Sequence, residues 1–128
     1  MHEQKKAEVL LVEDDSNDIA VAMRAFERHA LGEHVKVLRD GAELLDYLEG
    51  DGHPAPRLIL LDLKMPRLGG NEFRRAQLGD PIVASVPVAV MSGAVDALER
   101  AETLGAVATL TKPIDLDVLL DVVRKYCA

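Results

Sequence analysis

The sequence predicts an α/β fold in which five parallel strands form one sheet with helices on both faces. Three observations carry that prediction. Five short segments are rich in aliphatic residues: 9–12, 35–38, 58–61, 86–91 and 107–110. Four of them show little polar alternation, which suits strands buried on both faces. Patterns of helical period lie between them, and strict β-α alternation requires crossover connections that make the sheet parallel.

The first strand is Val9-Leu10-Leu11-Val12. The helix after it is marked by Ile19, Ala22, Met23, Phe26 and Ala30, spaced to form one apolar face. Ser16, Asn17 and Asp18 stand before that face and are good N-cap types. The second run is broken by Lys36, and the alternation Val35-Lys36-Val37 predicts an edge strand. Leu44, Leu45 and Leu48 form a short apolar face, with Asp40 and Glu43 spaced as a capping box and Gly50 as a stop. Segment 50–57 is polar, carries Pro54 and Pro56, and is expected to be a surface connection.

The third run, 58–61, is purely aliphatic. A weaker helix is expected over 70–78, bounded by Gly79-Asp80-Pro81. Pro87 near the start of the fourth run is compatible with the first residues of a strand. Val95, Leu98 and Ala101 suggest a helix ending at Gly105. After the fifth run, Leu119, Val122, Val123 and Tyr126 mark a last helix opened by Asp115.

Composition narrows the function. A chain of 128 residues is one ordinary domain, expected to occupy 1–128 with its core over about 8–126. Hydrophobic residues at 48% supply a core, and 3% aromatics mean that aliphatic packing must carry it. A net charge of -7 without a basic cluster argues against direct nucleic-acid binding. A single cysteine, Cys127, cannot staple the fold, and the polar start MHEQKKAE has no signal-peptide core. No apolar stretch is long enough to span a membrane. The expected location is the cytoplasm.

The chemistry lies where the runs end. The first is followed by Glu13-Asp14-Asp15, the third by Asp62, the fourth by Ser92-Gly93 and the fifth by Thr111-Lys112-Pro113. In open α/β sheets ligands bind beyond the carboxyl ends of the strands. Glu13, Asp14 and Asp62 would crowd carboxylates at neighbouring strand ends, and a hard cation compensates such crowding. Magnesium suits the set because it accepts one or two carboxylates and completes its shell with water and phosphate. Lys112 offers a point charge for a phosphate oxygen, Ser92 a hydroxyl, and a carboxylate can itself attack phosphorus.

These segments resemble the response-regulator receiver family. The resemblance is carried by Leu10-Leu11-Val12-Glu13-Asp14-Asp15, Leu58-Ile59-Leu60-Leu61-Asp62-Leu63-Lys64-Met65-Pro66, Met91-Ser92-Gly93 and Thr111-Lys112-Pro113. It spans nearly the whole chain; each motif is weak alone, and all of them in order are highly specific. It implies a flavodoxin-like (βα)5 doubly wound sheet of strand order 2-1-3-4-5 in a free-standing receiver domain. It also implies magnesium-dependent phosphoryl acceptance on Asp62 from a sensor histidine kinase or a phosphotransfer protein. Asp14 would bind Mg2+ directly and Glu13 through water. Asp62 and the backbone carbonyl of Lys64 would complete the protein ligands. Ser92 would contact the phosphoryl group, Lys112 would pair with it, and the Lys112–Pro113 bond would be cis. Such a domain catalyses its own phosphorylation and dephosphorylation and is not a conventional turnover enzyme.

The stretch from Pro56 to Pro66, with Asp46-Tyr47-Leu48, resembles the single-domain regulators paired with bacterial phytochrome kinases, whose members often form homodimers. Two positions depart from the family. Thr109 stands where an aromatic switch residue is common, and a threonine cannot swing a ring between buried and exposed states. Gly69 stands where Asp is common.

Other readings are weaker. A degenerate receiver, acting as a phosphorylation-independent binding module, gains weight from Thr109 and loses it from the intact set Glu13, Asp14, Asp62, Ser92 and Lys112. A haloacid-dehalogenase-type phosphatase needs a second Asp where Lys64 stands. Dinucleotide binding fails because acids replace the glycines of the first loop. His2, His29, His34 and His53 lack metal-ligand spacing and are expected at the surface, as is the Arg74-Arg75 pair; Met23, Met65 and Met91 are expected to fill the core.

Overall fold

A computed structural model describes residues 8–49, 56–62, 84–93 and 105–127. Within them lie five strands: β1 (Val9–Val12), β2 (Val35–Leu38), β3 (Leu58–Asp62), β4 (Val88–Ser92) and β5 (Ala108–Thr111). The described helices are α1 (Ser16–Arg28), α2 (Gly41–Glu49) and α3 (Leu116–Cys127), with a short 3-10 turn at Gly32–His34. The helices expected over 70–78 and around Val95 to Ala101 fall outside the described residues, as do Gly50, Lys64, Met65, Gly69, Arg74, Arg75, His2 and His53.

All strand pairings are parallel, in the order β2-β1-β3-β4-β5. That is the predicted doubly wound topology. Alternation along each strand sends neighbouring side chains to opposite faces. Leu10, Val12, Ile59, Leu61, Val88 and Val90 join Leu38 and Leu44 in the core on one face. Val9, Leu11, Leu58, Leu60, Ala89 and Met91 meet Phe26 of α1 and Leu119, Leu120 and Val123 of α3 on the other. Both faces of β1, β3 and β4 are thus covered, which is why their sequences lack polar alternation.

The edges behave differently. β2 pairs only with β1, and its first three residues are partly or fully exposed, as the Lys36 interruption predicts. β5 is the opposite edge, and its Ala-Thr-Leu-Thr sequence is correspondingly less buried than the inner strands. Its run is shifted by one residue, and Val107, expected inside it, is 44% exposed before the strand begins. Pro87 likewise lies just outside β4, where its carbonyl accepts from the Ile59 amide at 2.9 Å.

The helix ends show the local chemistry. The N-cap of α1 is Asp15, whose carboxylate accepts from the Asn17 and Asp18 amides at 2.8 and 3.0 Å. Ser16, Asn17 and Asp18 were the expected caps; they are the first residues of the helix instead, because Asp15 already satisfies its leading N–H groups. The helix also ends earlier than its apolar pattern suggests. Ala30 takes φ 59, and the amides of Ala30 and Leu31 return to the carbonyls of Glu27 and Phe26 in a Schellman closure. The predicted capping box at α2 is present with one change. Asp40 accepts from the Glu43 amide at 2.8 Å, while the Glu43 carboxylate reaches back to the amide of Arg39, not of Asp40. Asp115 opens α3 by accepting from Asp117 and Val118.

The Asp15 cap positions the acidic loop, so its loss should be felt in stability. Asp15→Ala is expected to lower unfolding free energy by about 1 kcal/mol, and Asp15→Asn by much less. Urea denaturation measures both; an unchanged midpoint in the alanine variant would remove Asp15 as the cap.

Candidate functional site

The strand order changes direction beside β1. The chain runs from β1 to β2 on one side and then returns to pair β3 on the other. Val12 lies opposite Leu61 in register, so Glu13 and Asp62 leave their strands side by side. Asp62 in turn pairs with Met91, and Ser92 with Thr111. The carboxyl edge of the sheet therefore gathers Glu13, Asp62, Ser92 and Lys112 from four adjacent strands.

Glu13 and Asp62 are each 2% exposed, unusual for carboxylates. Lys112 answers them. Its Nζ donates to Glu13 Oε2 at 2.9 Å, to Asp62 Oδ2 at 3.2 Å and to Asp18 Oδ2 at 2.9 Å. The Asp15 amide donates to Glu13 Oε1 at 3.1 Å. Burial, reinforced by the Asp62 carboxylate, pushes Glu13 up to about 7 against the opposing pull of Lys112 and the Asp15 amide. For Lys112, burial works against the charge, yet hydrogen bonds to Asp18 and Glu13 outweigh it and hold the ammonium well above its usual range.

Asp14 is exposed at the rim. One carboxylate oxygen from each of Glu13, Asp14 and Asp62 lies within 4.8 Å of the others. Oxygens directly around magnesium would be about 3 to 4 Å apart, given bonds of about 2.0–2.1 Å. A cluster held within 4.8 Å is compact enough for its carboxylates to share one cation. Crowded acids that share Lys112 make the electrostatic case for such a cation.

Ser92 is buried at the end of β4, and its carbonyl accepts from the Lys112 amide at 3.0 Å. The Lys112–Pro113 bond is cis, as the resemblance implies. Thr109 is partly buried on β5, opposite Val90. Five of the six expected site residues thus converge, and the sixth, Lys64, lies outside the described residues. His29 is exposed beside Arg124, His34 is half-buried, Met91 is buried and Met23 half-buried. One participant escaped the sequence reading: Asp18, which was taken only as a cap. No local spacing points to it: Asp14 lies before the Asp15 N-cap, outside the helix, and the contact with Lys112 joins residues 94 apart in the chain.

The model of the response regulator receiver domain matches residues 9–124. The chain belongs to the response-regulator receiver family. Receiver domains serve two-component signal transduction, accept a phosphoryl group on an aspartate, and work with histidine kinases or phosphotransfer proteins; this chain is such a domain. Among curated relatives, it is similar to the probable methanogenesis regulatory protein FilR2 of Methanothrix harundinacea. They are 35% identical over 126 residues, covering 92% of this chain and 81% of that one. Among solved structures, the bacteriophytochrome response regulator RtBRR is 32% identical with a TM-score of 0.77, covering 96% of this chain and 79% of that one. The phosphorylated cyanobacterial phytochrome response regulator RcpA is 30% identical with a TM-score of 0.74, covering 94% and 90%. Nothing in these comparisons favours the degenerate receiver that Thr109 suggests. Among the described residues no helix is long and apolar enough to cross a membrane.

Proposed function

We propose that Asp62 is the phosphoryl acceptor, in a magnesium-dependent reaction, and that residues 1–128 act as one receiver unit. The observation that carries this reading is the buried Asp62 carboxylate, 3.2 Å from Lys112 and clustered with Glu13 and Asp14 at the carboxyl edge of the sheet. One Asp62 oxygen attacks phosphorus, the bond from phosphorus to the donor breaks, and the donor leaves with the bonding pair. Phosphohistidine loses a P–N bond in this step, and acetyl phosphate a P–O bond. Asp62 is left as an acyl phosphate, which water later cleaves to restore the carboxylate.

Lys112 places its charge where negative charge builds on the transferring oxygens, and Ser92 presents a hydroxyl one residue beyond the Asp62 register. Asp14 and Asp62 would hold Mg2+ directly and Glu13 through water, with the Lys64 carbonyl as a further ligand. When bound, the ion neutralises the phosphoryl oxygens. Asp14→Ala is expected to weaken Mg2+ binding by at least about tenfold, near 1.4 kcal/mol. Titration of the unphosphorylated protein measures it, and an unchanged affinity would take Asp14 out of the metal site.

The proposed donor is a phytochrome-type histidine kinase. In support, RtBRR and RcpA are regulators of that kind, and the Pro56 to Pro66 stretch resembles the same group. No preference among candidate kinases would end that proposal. Association into a homodimer belongs to the same reading and is checked by light scattering. The proposed site of action is the cytoplasm, alongside the expected kinase, and the net charge of -7 argues against direct nucleic-acid contact. The deciding experiment is intact mass after incubation with acetyl phosphate. A Mg2+-dependent gain of one phosphoryl group is expected, and no gain under any condition would favour the degenerate receiver.

A further inference from the structure

Among the described residues three carboxylates hold Lys112, and two of them already belong to the acidic cluster. Glu13 and Asp62 contribute oxygens to that cluster, and Asp18 does not. Yet Asp18 Oδ2 is as close to Nζ as Glu13 is, at 2.9 Å, and closer than Asp62 at 3.2 Å. We propose that Asp18 is the positioning residue of Lys112, anchoring its ammonium from helix α1 so that Nζ stays aimed at Asp62 when Glu13 and Asp62 share their charge with a cation. The inference rests on the reading of Asp62 as acceptor and Lys112 as its charge partner.

The argument begins with the lysine itself. An ammonium on a four-carbon stem is a mobile point charge, and holding it in one place costs rotamer entropy. Charge stabilisation in phosphoryl transfer depends on a donor already in position. Packing encloses the side chain only in part: Lys112 lines a cavity of about 140 Å3 together with Leu11, Ala22, Met91, Ile114 and Leu116, and it is 20% exposed. The position of Nζ is therefore set at the tip, by three N–H groups directed to three carboxylates.

A cation in the acidic cluster repels Lys112 and draws on the same Glu13 and Asp62 charge. Asp18 is the one partner of the three whose charge stays undivided. It is also well placed to anchor. Its amide donates to the Asp15 cap at 3.0 Å, which fixes the first turn of α1 beneath it. Its side chain is 46% exposed, so little desolvation opposes the ion pair. An acid in a first helical turn is ordinarily explained by the helix dipole. That explanation predicts a small stability effect and none that depends on Lys112.

The test compares wild type, Asp18→Asn, Asp18→Glu, Lys112→Met and the Asp18→Asn/Lys112→Met double variant. Acetyl phosphate is the donor, so docking of a kinase on α1 plays no part. At saturating Mg2+, Asp18→Asn is expected to slow labelling about three- to fivefold, the upper part of the range for a partly exposed ion pair. Asp18→Glu should restore most of the rate, and Asp18→Asn should change nothing further once Lys112 is methionine. A second readout uses no metal: urea midpoints in EDTA, where Asp18→Asn should cost more with Lys112 present than without it. An unchanged rate in a labelled wild-type background, equal slowing with and without Lys112, or additive midpoints would each overturn the proposal. Failure of wild type to take up any phosphoryl group would instead overturn the acceptor reading on which it rests.

Discussion

Asp62→Asn is expected to abolish phosphoryl uptake while leaving the fold intact. The substitution keeps the shape of the side chain and an oxygen that can accept from Lys112 Nζ, which lies 3.2 Å from Oδ2 in the native protein. What it removes is the anionic nucleophile. A neutral amide oxygen does not attack phosphorus at a useful rate, and labelling should fall by at least about a hundredfold, near 2.7 kcal/mol of barrier. Stability should move little. The site loses one of its crowded negative charges, which relieves repulsion with Glu13, and it weakens one contact to Lys112. These effects oppose each other, and a net change within about 1 kcal/mol is expected. Intact mass with acetyl phosphate and Mg2+ reads the first effect, and urea denaturation reads the second. Labelling at the wild-type rate would mean that another carboxylate is the acceptor. The exposed Asp14 would then be the first to examine.

Much of this arrangement was legible because burial leaves a plain record in a strand. The aliphatic runs of β1, β3 and β4 mark strands covered on both faces, and Lys36 marks β2 as an edge. The first one or two residues after each run must emerge at the carboxyl edge, so Glu13, Asp62, Ser92 and Lys112 could be brought together from their sequence positions alone. β5 was less legible. Counting Val107 into its run hides the Ala-Thr-Leu-Thr alternation of the strand itself, and with it the edge position. The N-cap of α1 was misplaced because Asp15, Ser16, Asn17 and Asp18 are all capping types, and composition does not say which one starts the turn. Asp18 was missed for a related reason. A local rule explained it, and its contact with Lys112 spans 94 residues of chain, a distance no local pattern encodes.

Lys112→Ala should impair phosphorylation far more than folding, although the native Lys112 holds three ion pairs. Removing the counter-charge of a buried carboxylate ordinarily costs about 3–5 kcal/mol, because an uncompensated charge is left behind. Two features soften that here. Lys112 is itself 20% exposed, so water can replace part of its contribution. Glu13 already sits at about 7, raised first by burial and then by Asp62, with Lys112 among the groups holding it down. Without the lysine, Glu13 rises further, takes up a proton near neutral pH and discharges the cluster. A stability loss on the order of 1–2 kcal/mol is therefore expected, well below the usual cost of a broken buried pair. Phosphoryl transfer has no comparable escape. A preorganised donor aimed at the transferring oxygens is worth about 10²–10³ in rate, and protonating Glu13 does nothing to replace it. Urea midpoints and acetyl phosphate labelling of the same variant separate the two effects. A variant that folds poorly but labels at the wild-type rate per folded molecule would make Lys112 a structural counter-ion only. A stable variant that labels on the order of a hundredfold more slowly would place its charge on the reacting phosphoryl group.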